Sequence, residues 1–372
     1  MATYNYTKNY AQLREDLLVS ECVAAPNSLP VTDVQRVGDG TINVITSVAL
    51  SSPQQTTLAS AVAAHNGLPR GTPVGDNLII NGGSTFFQRS GVYSQYDAQY
   101  GLDRWCHLGQ GSGALNLVSV SQLSPGGGRW TQIWTSSNRF GVAQIIDGNT
   151  VIGYRGNQLT LSALVRSNPA FTVRYAILEW PGTFNAPSRD PVNDWTNGTF
   201  SPGNFFISTI SVLAQDSVAA TNLSQAVALT CTVSNAANNL YVIFWTDGLA
   251  PVNGFIELDQ VGLYPGAAVR DWTPRAYTVE ELLCRRYCLK LATQDLGMAQ
   301  QASRVYQGGV MFPISMLKAP TLVSGSFGVN AGSAGAVQLQ NSSPTGVAFV
   351  NSTGNWTVGA LVSVSCVIEG EF

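Results

Sequence analysis

Two cysteines lie four residues apart, at Cys284 and Cys288, in the segment 274–291, which reads PRAYTVEELLCRRYCLKL. Such a pair could bind a metal ion or form a redox couple. Zinc would need two further cysteine or histidine ligands. The only histidines are His65 and His107, and the sequence has no second close cysteine pair. A disulfide across one helical turn would distort the backbone, so we predict that both cysteines are buried packing residues.

The segment around the two cysteines has the pattern of an amphipathic helix. Thr278 and Glu281 are spaced as in a capping box, in which a hydroxyl and a carboxylate satisfy the first backbone amides. Four residues at i, i+3, i+4 and i+7 then form one apolar stripe: Cys284, Tyr287, Cys288 and Leu291. The pattern predicts a helix that extends to Leu291 and packs both cysteines against the rest of the protein.

Catalytic patterns are missing from the sequence. His107 follows Cys106 in a predicted strand, where adjacent side chains point to opposite faces, and neither histidine lies in a nucleophile elbow. The glycine-rich segments 109–116 and 124–130 lack the Gly-Lys-Ser/Thr of a phosphate-binding loop. The acidic residues have no spacing that would pair them for glycoside hydrolysis: Glu179, Asp190, Asp194, Asp247 and Glu257. We predict that the protein is not an enzyme and needs no cofactor.

Aromatic side chains in loops could bind sugars, because the C–H face of a pyranose packs on a flat apolar ring. The longest loop-like stretch, 179–200, reads EWPGTFNAPSRDPVNDWTNGTF, and a second aromatic pair lies near GGGRWTQIW. Our candidate glycan-binding residues are Trp180, Phe184, Arg189, Asp190, Asp194 and Trp195 of the loop, with Trp130 and Trp134 of the pair. The alternative is that these aromatics pack beneath the loop or in a subunit contact.

The composition excludes several classes of partner. Charged residues make up 11% of the 372 residues, against about 25% in ordinary soluble domains. The net charge of −3 and the scattered basic residues offer no footprint for nucleic acid. No apolar stretch approaches the roughly 20 residues that span a bilayer, so we predict no membrane insertion. The first residues lack the apolar core of a signal peptide, which predicts a product made in a cytosol.

The pattern of short strands predicts a mainly β protein in three parts. Residues 1–70 contain two strands around the turn signal Gly38-Asp39-Gly40 and then a helix with Pro53 in its first turn, so we predict a small α+β domain. Residues 71–291 hold many alternating strands, as in a β-sandwich or jelly roll ending in a helix. Residues 292–372 return to strands and glycine-rich turns, a C-terminal β region that could stand alone or complete the sandwich.

Three segments of the sequence resemble, in order, a family of bacteriophage virion proteins. They read NLIINGGSTFFQRSG at 77–91, YGLDRWC at 100–106, and FIELDQVGLYPGAAVRDWTPRAYTVEELLCRRYCLKL at 255–291. The family pattern has an Asn-Gly start followed by Gln-Arg, a later Asp-Arg-Trp, an Asp-x-Val strand, and a Pro-Arg-x-Tyr helix with Cys and Arg-Tyr. This chain has two extra residues between its Asn-Gly and its Phe-Gln-Arg. The resemblance covers a little over half of the chain.

The resemblance implies a fold and a limited set of site residues. Its domain is similar to jelly-roll carbohydrate-binding modules, which agrees with the strand pattern. Where such modules hold calcium, the ligands are an acid soon after the Asn-Gly and the Asp of the Asp-x-Val strand. Asp259 matches the second position, whereas Ser84 and Thr85 stand where the acid would be. Since calcium takes about six to eight oxygen ligands, we predict no metal, with Asp259 as the one matching position.

Two functions follow as hypotheses from the family. In the first, residues 1–70 anchor an outward-facing tail fibre or appendage that touches host-surface polysaccharide. In the second, the protein is a capsid decoration or head fibre that reinforces the shell without receptor binding. Both imply a virion protein assembled in the host cytoplasm, partnered by capsid or tail proteins and by itself, and family analogy predicts a homotrimer. A depolymerase tailspike is disfavoured because no parallel β-helix repeat is present.

Overall fold

The computed structural model of the chain describes residues 1–7, 18–19, 22–23, 27–38, 41–64, 77–89, 92–95, 97–110, 118–123, 127–133, 136–298, 306–329, 332–333, 337–351, 355–356 and 361–372. The chain divides into two compact units, Met1–Asp76 and Asn77–Phe372. Among the described residues, no helix is both long and apolar enough to cross a bilayer.

The first unit has a three-stranded antiparallel sheet and one long helix. Its strands are β1 (Ala2–Thr7), β2 (Val31–Gly38) and β3 (Thr41–Thr46), in the order β1-β3-β2, and helix α1 spans Ser52–Ala64. Strands β2 and β3 pair with Gly38 opposite Thr41, which confirms the predicted hairpin. Leu58 and Val62 of α1 are buried in the core of this unit, one turn apart.

Two six-stranded sheets form a β-sandwich in the second unit. Sheet I has the order β13-β10-β15-β8-β7-β4 and sheet II the order β12-β11-β14-β9-β6-β5, and the strands pair antiparallel. The strand bounds are β4 Val92–Gln95, β5 Gln99–Tyr100, β6 Cys106–Gly109, β7 Val118–Gln122, β8 Gly128–Gln132, β9 Phe140–Ile146, β10 Gln158–Asn168, β11 Phe171–Trp180, β12 Ser211–Ala220, β13 Gln225–Thr232, β14 Asn239–Thr246 and β15 Phe255–Pro265.

The core of the sandwich is built from alternating residues of its strands. Along β11, Val173, Tyr175 and Ile177 belong to the core between the sheets, while Ala176 and Leu178 belong to a second core on the outer face of sheet II. This alternation follows from the two-residue period of a strand. Burial on both faces explains why β14 is buried along its whole length and apolar from Leu240 to Trp245.

The connection between β11 and β12, which we call the aromatic loop, covers the outer face of sheet II. Trp245 on β14 is stacked on Phe205 with ring centroids 5.5 Å apart and meets Phe206 edge-on at 5.6 Å. The sequence NFFISTISVLA, at 204–214, has the appearance of one strand. The structure corrects this, because β12 begins only at Ser211 and the two phenylalanines lie in the covering loop, held by packing rather than by strand pairing.

The helix before the C-terminal region is shorter than predicted. Helix α3 spans Tyr277–Arg285, after the single turn α2 (Gly148–Val151) and a 3₁₀ turn (Ile152–Tyr154). The predicted cap is wrong, because the residue before the helix is Ala276 and no side chain caps it. Cys288 already belongs to strand β16 (Cys288–Met298), where its backbone partner is Glu369 of β23. Pairing with a strand some 80 residues away ends the helix, which no local pattern encodes.

The C-terminal strands form three small antiparallel sheets, with orders β16-β23-β18, β17-β21-β20 and β19-β22. Their remaining bounds are β17 Tyr306–Met311, β18 Thr321–Val329, β19 Gly332–Ser333, β20 Gln338–Ser343, β21 Gly346–Asn351, β22 Asn355–Trp356 and β23 Leu361–Glu369. The prediction of a mainly β chain with a small N-terminal α+β part, a central sandwich and a C-terminal β region is confirmed. The boundaries at residues 70 and 291 stay predictions, and Asn77–Phe372 is compact as one unit.

The aromatic loop should contribute strongly to stability. We expect Phe205→Ala to lower the free energy of unfolding by about 3–5 kcal/mol, because Phe205 is fully buried and its removal leaves a cavity beside Trp245. The measurement is urea-induced unfolding followed by tryptophan fluorescence. The matched control is Phe184→Ala in the same loop, which is 40% exposed and should cost about 1 kcal/mol or less. Equal losses for the two variants would contradict the packing role of the loop.

Candidate functional site

The segments that carry the family resemblance meet in one polar cluster of the second unit. We call it the motif cluster. Its members come from the segments at 77–91, 100–106 and 255–291, joined by residues near the end of β23: Asn77, Asn81, Gln88, Arg89, Asp103, Arg104, Arg275, Glu280, Tyr287, Glu369 and Glu371. These positions belong to separate motifs of the sequence, and the fold brings them together.

Asn81 holds the turn at the start of the cluster. Its backbone has a φ of 59°, in the left-handed region that asparagine tolerates. Its side-chain amide donates to the carbonyls of Phe86 and Asp103 at 2.8 and 3.0 Å and accepts from the Phe86 amide at 2.9 Å. Its own backbone amide donates to the buried Glu280 carboxylate of α3. One asparagine thus fixes the turn, the Asp103 segment and the helix together.

The two glycines after Asn81 allow close approaches that a side chain would block. A Cβ on Gly82 would lie 2.0 Å from the carbonyl oxygen of Val261 on β15, so only glycine fits there. A Cβ on Gly83 would lie 2.8 Å from the indole ring of Trp272, which rests on the glycine backbone. The Asn-Gly-Gly sequence therefore serves backbone packing.

A second part of the cluster attaches the segment before α3 to the start of the sandwich. Arg275 forms an ion pair with Glu280 at 2.8 Å, donates to the Ile79 carbonyl at 2.9 Å and also donates to the Asn77 carbonyl. The Asn77 side chain accepts from the amides of Ile79 and Leu263 at 2.9 Å each. The charged groups of Arg275 and Glu280 are therefore already bonded to groups of the protein itself.

Buried charges form the centre of the motif cluster. The Arg89 side chain is 1% exposed and lies 2.8 Å from Glu369, 3.6 Å from Asp103 and 3.7 Å from Glu371. Arg104, also 1% exposed, pairs with Glu371 and donates to the Ile145 carbonyl. Burial raises the pKa of Glu371, and the charges of Arg104 and Arg89 oppose that rise. Burying such charges is tolerable only when they are paired, so these five residues require one another.

Aromatic and amide groups complete the shell around the charges. The Arg104 guanidinium lies 3.6 Å from the ring centroid of Tyr287, a cation–π contact, and the Tyr287 hydroxyl donates to Asp147 at 2.8 Å. Gln88 donates to Asp103 at 2.7 Å and to the Cys288 carbonyl at 2.6 Å. The carboxylates and guanidiniums here bond to protein groups, so the motif cluster is an architectural lock between the sandwich, α3 and β23.

Two of the predicted glycan-binding tryptophans are buried in different cores. Trp130 is fully buried between the two sheets, with its ring 6.0 Å from that of Trp105. Trp195 is part of the aromatic loop and is 8% exposed. Its ring is edge-on to that of Phe205, with centroids 5.4 Å apart. These placements match the alternative that the aromatics are packing residues. Trp134, the last tryptophan of the set, lies outside the described residues.

The other candidates lie along the loop at 179–200 without forming one surface. The half-buried Trp180 ring lies over Gly182 and donates its indole N–H to the Thr183 carbonyl at 3.0 Å. Phe184 is 40% exposed and its ring lies against Gly148. Arg189 donates to the Phe372 carbonyl at 2.8 Å. A sugar-binding role for these residues stays a prediction.

The two aspartates of the loop differ in environment. The exposed Asp194 accepts from the hydroxyl and the amide of Thr196, which lowers its pKa. Asp190 instead shares a hydrogen bond with Asp97, and burial together with the Asp97 charge raises the pKa of Asp190 to about 7. The proton between the two carboxyls is therefore only partly bound at pH 7. While it is bound, it ties the loop to the turn before β5.

In the described part of the chain, the side chains form neither a metal site nor a reactive thiol site. No group of three or more His, Cys, Asp or Glu side chains there could hold an ion. Asp259, the position that matches the family's calcium ligand, accepts from the Gln260 amide at 2.7 Å and lies beside Gly127. Burial raises its pKa. Cys284 and Cys288 are free and buried as predicted, and burial raises the pKa of both thiols.

One cleft escaped the sequence analysis. It has a volume of about 220 Å³ and lies between the Asn81–Phe86 turn and the segment before α3. We call it the aromatic cleft, because three rings line it together with smaller polar groups: Phe86, Trp272, Tyr277, Thr85, Thr273 and Arg275. The sequence signal was present, since two of the rings flank Pro274 in DWTPRAY. The third comes from a turn nearly 190 residues earlier, and only the fold brings it there.

Comparison with known proteins gives matches among solved structures only. No family model and no curated protein matches the sequence. A carbohydrate-binding module of the CBM4 type is 16% identical, covering 50% of this chain and 99% of that one, with a TM-score of 0.30. The N-terminal cellulose-binding domain of Cellulomonas fimi β-1,4-glucanase C is 14% identical, covering 48% and 97%, with a TM-score of 0.28. The enzymatically active domain of bacteriophage CBA120 tailspike protein 4 is 13% identical, covering 51% and 21%, with a TM-score of 0.30. At TM-scores this low, we base no functional conclusion on these similarities.

The buried charges of the motif cluster give a stability prediction. We expect Glu371→Gln to lower the free energy of unfolding by about 3 kcal/mol, because Arg104 would keep a buried charge without its partner. The matched control is Glu281→Gln, which removes the same charge from the surface pair with Arg285 and should cost about 0.5 kcal/mol or less. Chemical denaturation of both variants provides the measurement. A loss at Glu371 as small as that at Glu281 would show that the buried charges are not coupled.

The Asp97–Asp190 pair gives a pH prediction. A carboxyl whose pKa is raised on folding stabilises the protein while it is protonated, and that contribution is lost as the pH rises through about 7. Asp190→Asn keeps a neutral side chain at every pH. We therefore expect the stability of the variant relative to the parent to rise between pH 5 and pH 8, by on the order of 1–3 kcal/mol. Denaturant unfolding at four pH values measures it, and a constant difference would count against the shared proton.

Proposed function

We propose that this chain is a bacteriophage virion structural protein, an outward-facing fibre or appendage that contributes to attachment to host-surface glycans. In this proposal the unit at Met1–Asp76 anchors the protein and the unit at Asn77–Phe372 presents the binding surface. The motif cluster carries the proposal. Segments of the family resemblance that are far apart in sequence form one buried network, which supports the proposal because it gives the matched residues a joint structural role in this chain.

The chemistry of the second unit supports binding without catalysis. His107 is fully buried, and burial lowers its pKa to about 3, so this histidine is neutral and out of reach of a substrate. Within the described residues, the most strongly perturbed carboxyls either pair with arginines or share a proton. A chain with only 11% charged residues suits contact with neutral polysaccharide. We propose that the protein is not an enzyme.

A second function is favoured by exposed apolar side chains on α3. Val279 and Leu282, one turn apart on this helix, are 43% and 44% exposed, an apolar pair that a subunit or capsid neighbour could cover. A capsid decoration or head fibre would use such contacts to reinforce the shell. Both functions are compatible with a homotrimer and with assembly in the host cytoplasm.

The two functions predict different results on particles. We expect gold-labelled antibody against the purified chain to mark phage tails or fibre tips, and the free protein to reduce adsorption of the phage to its host at least several-fold. Marking of the head surface without any effect on adsorption would select the decoration function. Sedimentation analysis of the same protein tests the trimer. A chain that is absent from purified particles would contradict both functions.

A further inference from the structure

The aromatic cleft is a concave surface of the second unit that the motif cluster borders but does not fill. We propose that it binds one or two residues of a neutral saccharide, an inference that rests on the proposed glycan attachment and names its site. The volume of about 220 Å³ is below the roughly 300–1,000 Å³ of sites that enclose drug-sized ligands. It therefore fits a short part of a longer glycan whose remainder stays in solvent.

The rings of the cleft are held in place before any ligand arrives. The Tyr277 ring is tilted at 47° to that of Phe86, with centroids 4.8 Å apart. Phe86 is 7% exposed whereas Tyr277 is 63% exposed, so a buried ring supports an accessible one. The Trp272 ring is supported by the backbone of Gly83. Fixed, accessible rings give a sugar face a flat apolar surface at little cost in side-chain entropy.

The charges around the cleft favour a neutral ligand. Arg275 and Glu280 are the charged residues that line it, and they neutralise each other at 2.8 Å. The Arg275 guanidinium also donates to two backbone carbonyls. A carboxylate or phosphate would have to break these bonds, which would leave Glu280 unpaired in a buried position.

Hydroxyl groups supply the remaining polar contacts. The exposed Thr85 and Thr273 line the cleft, and the side chain of Tyr277, which carries a further hydroxyl, is 63% exposed. A hydroxyl both donates and accepts, which matches the ring hydroxyls of a sugar. Apolar ring faces combined with hydroxyls distinguish this cleft from an apolar peptide groove. Of the candidates predicted from the sequence, Trp130 and Trp195 are buried and offer no ring face to a ligand.

The test uses the full chain on a printed array of neutral and uronic-acid-containing bacterial oligosaccharides. We expect the parent protein to bind neutral members, and Trp272→Ala and Tyr277→Ala each to weaken the binding of the best neutral oligosaccharide about tenfold, from the loss of one ring contact. Leu223→Ala, which is 70% exposed at a distant turn, is the control and should bind as the parent does. Melting temperatures of the variants confirm folding, and Tyr277→Ala is the safer variant because its ring is mostly exposed.

The outcomes separate the site from the proposed function. If the parent binds a neutral glycan and both cleft variants bind it equally well, the cleft assignment is overturned while glycan attachment stands. Loss of binding in Phe184→Ala alone would move the site to the predicted loop. Binding of acidic oligosaccharides only, or capture of a peptide that competes at the cleft, would overturn the neutral-saccharide assignment. A parent protein that binds no glycan would overturn glycan attachment together with this site.

Discussion

The fold of the second unit depends on two buried arginines whose carboxylate partners lie near the C-terminal end of the sequence. Arg104 is paired with Glu371, 267 positions later, and Arg89 with Glu369, 280 positions later. Neither guanidinium can enter a dry interior at reasonable cost without its carboxylate. The first turns of the sandwich are therefore completed only when β23 has paired with β16, so the C-terminal strands stabilise the sandwich even though they form sheets of their own. Contacts between residues so far apart in the sequence require the chain between them to close into a loop, which costs conformational entropy. The interactions of the buried network oppose this cost.

Residues from the C-terminal part of the chain also help to cover sheet II, which is buried on both faces. Its inner face belongs to the sandwich core, and its outer face is occupied by the aromatic loop, by Tyr287 and by Phe372. A sandwich whose outer sheet face lay open could bind a ligand across its strands. Here that area is used to attach the loop and residues near the end of β23, and an accessible concave surface lies instead at the turn beside Trp272.

Strand identity was predictable from the sequence because it depends on local alternation. Strands β10, β11, β13, β14 and β15 appear where apolar and polar residues alternate or where the run is wholly apolar. The helix end at Arg285 and the loop at Phe205–Phe206 were not predictable, because a distant strand and the indole of Trp245 decide them. For the same reason the motif residues were recognised as a pattern before their contacts could be known. Exposure was the least predictable property, since Trp130 and Phe184 look equivalent in sequence and differ entirely in burial.

The six cysteines bear on how the protein behaves outside a reducing compartment. All six are buried, and none of them forms a disulfide. Burial raises the pKa of Cys231 to about 12 and that of Cys366 to about 11, so hardly any thiolate forms at neutral pH. Because the thiolate is the species that attacks disulfides and oxidants, burial protects these side chains from oxidation while the chain is folded. A disulfide crosslink found in the protein would therefore report chains that had unfolded.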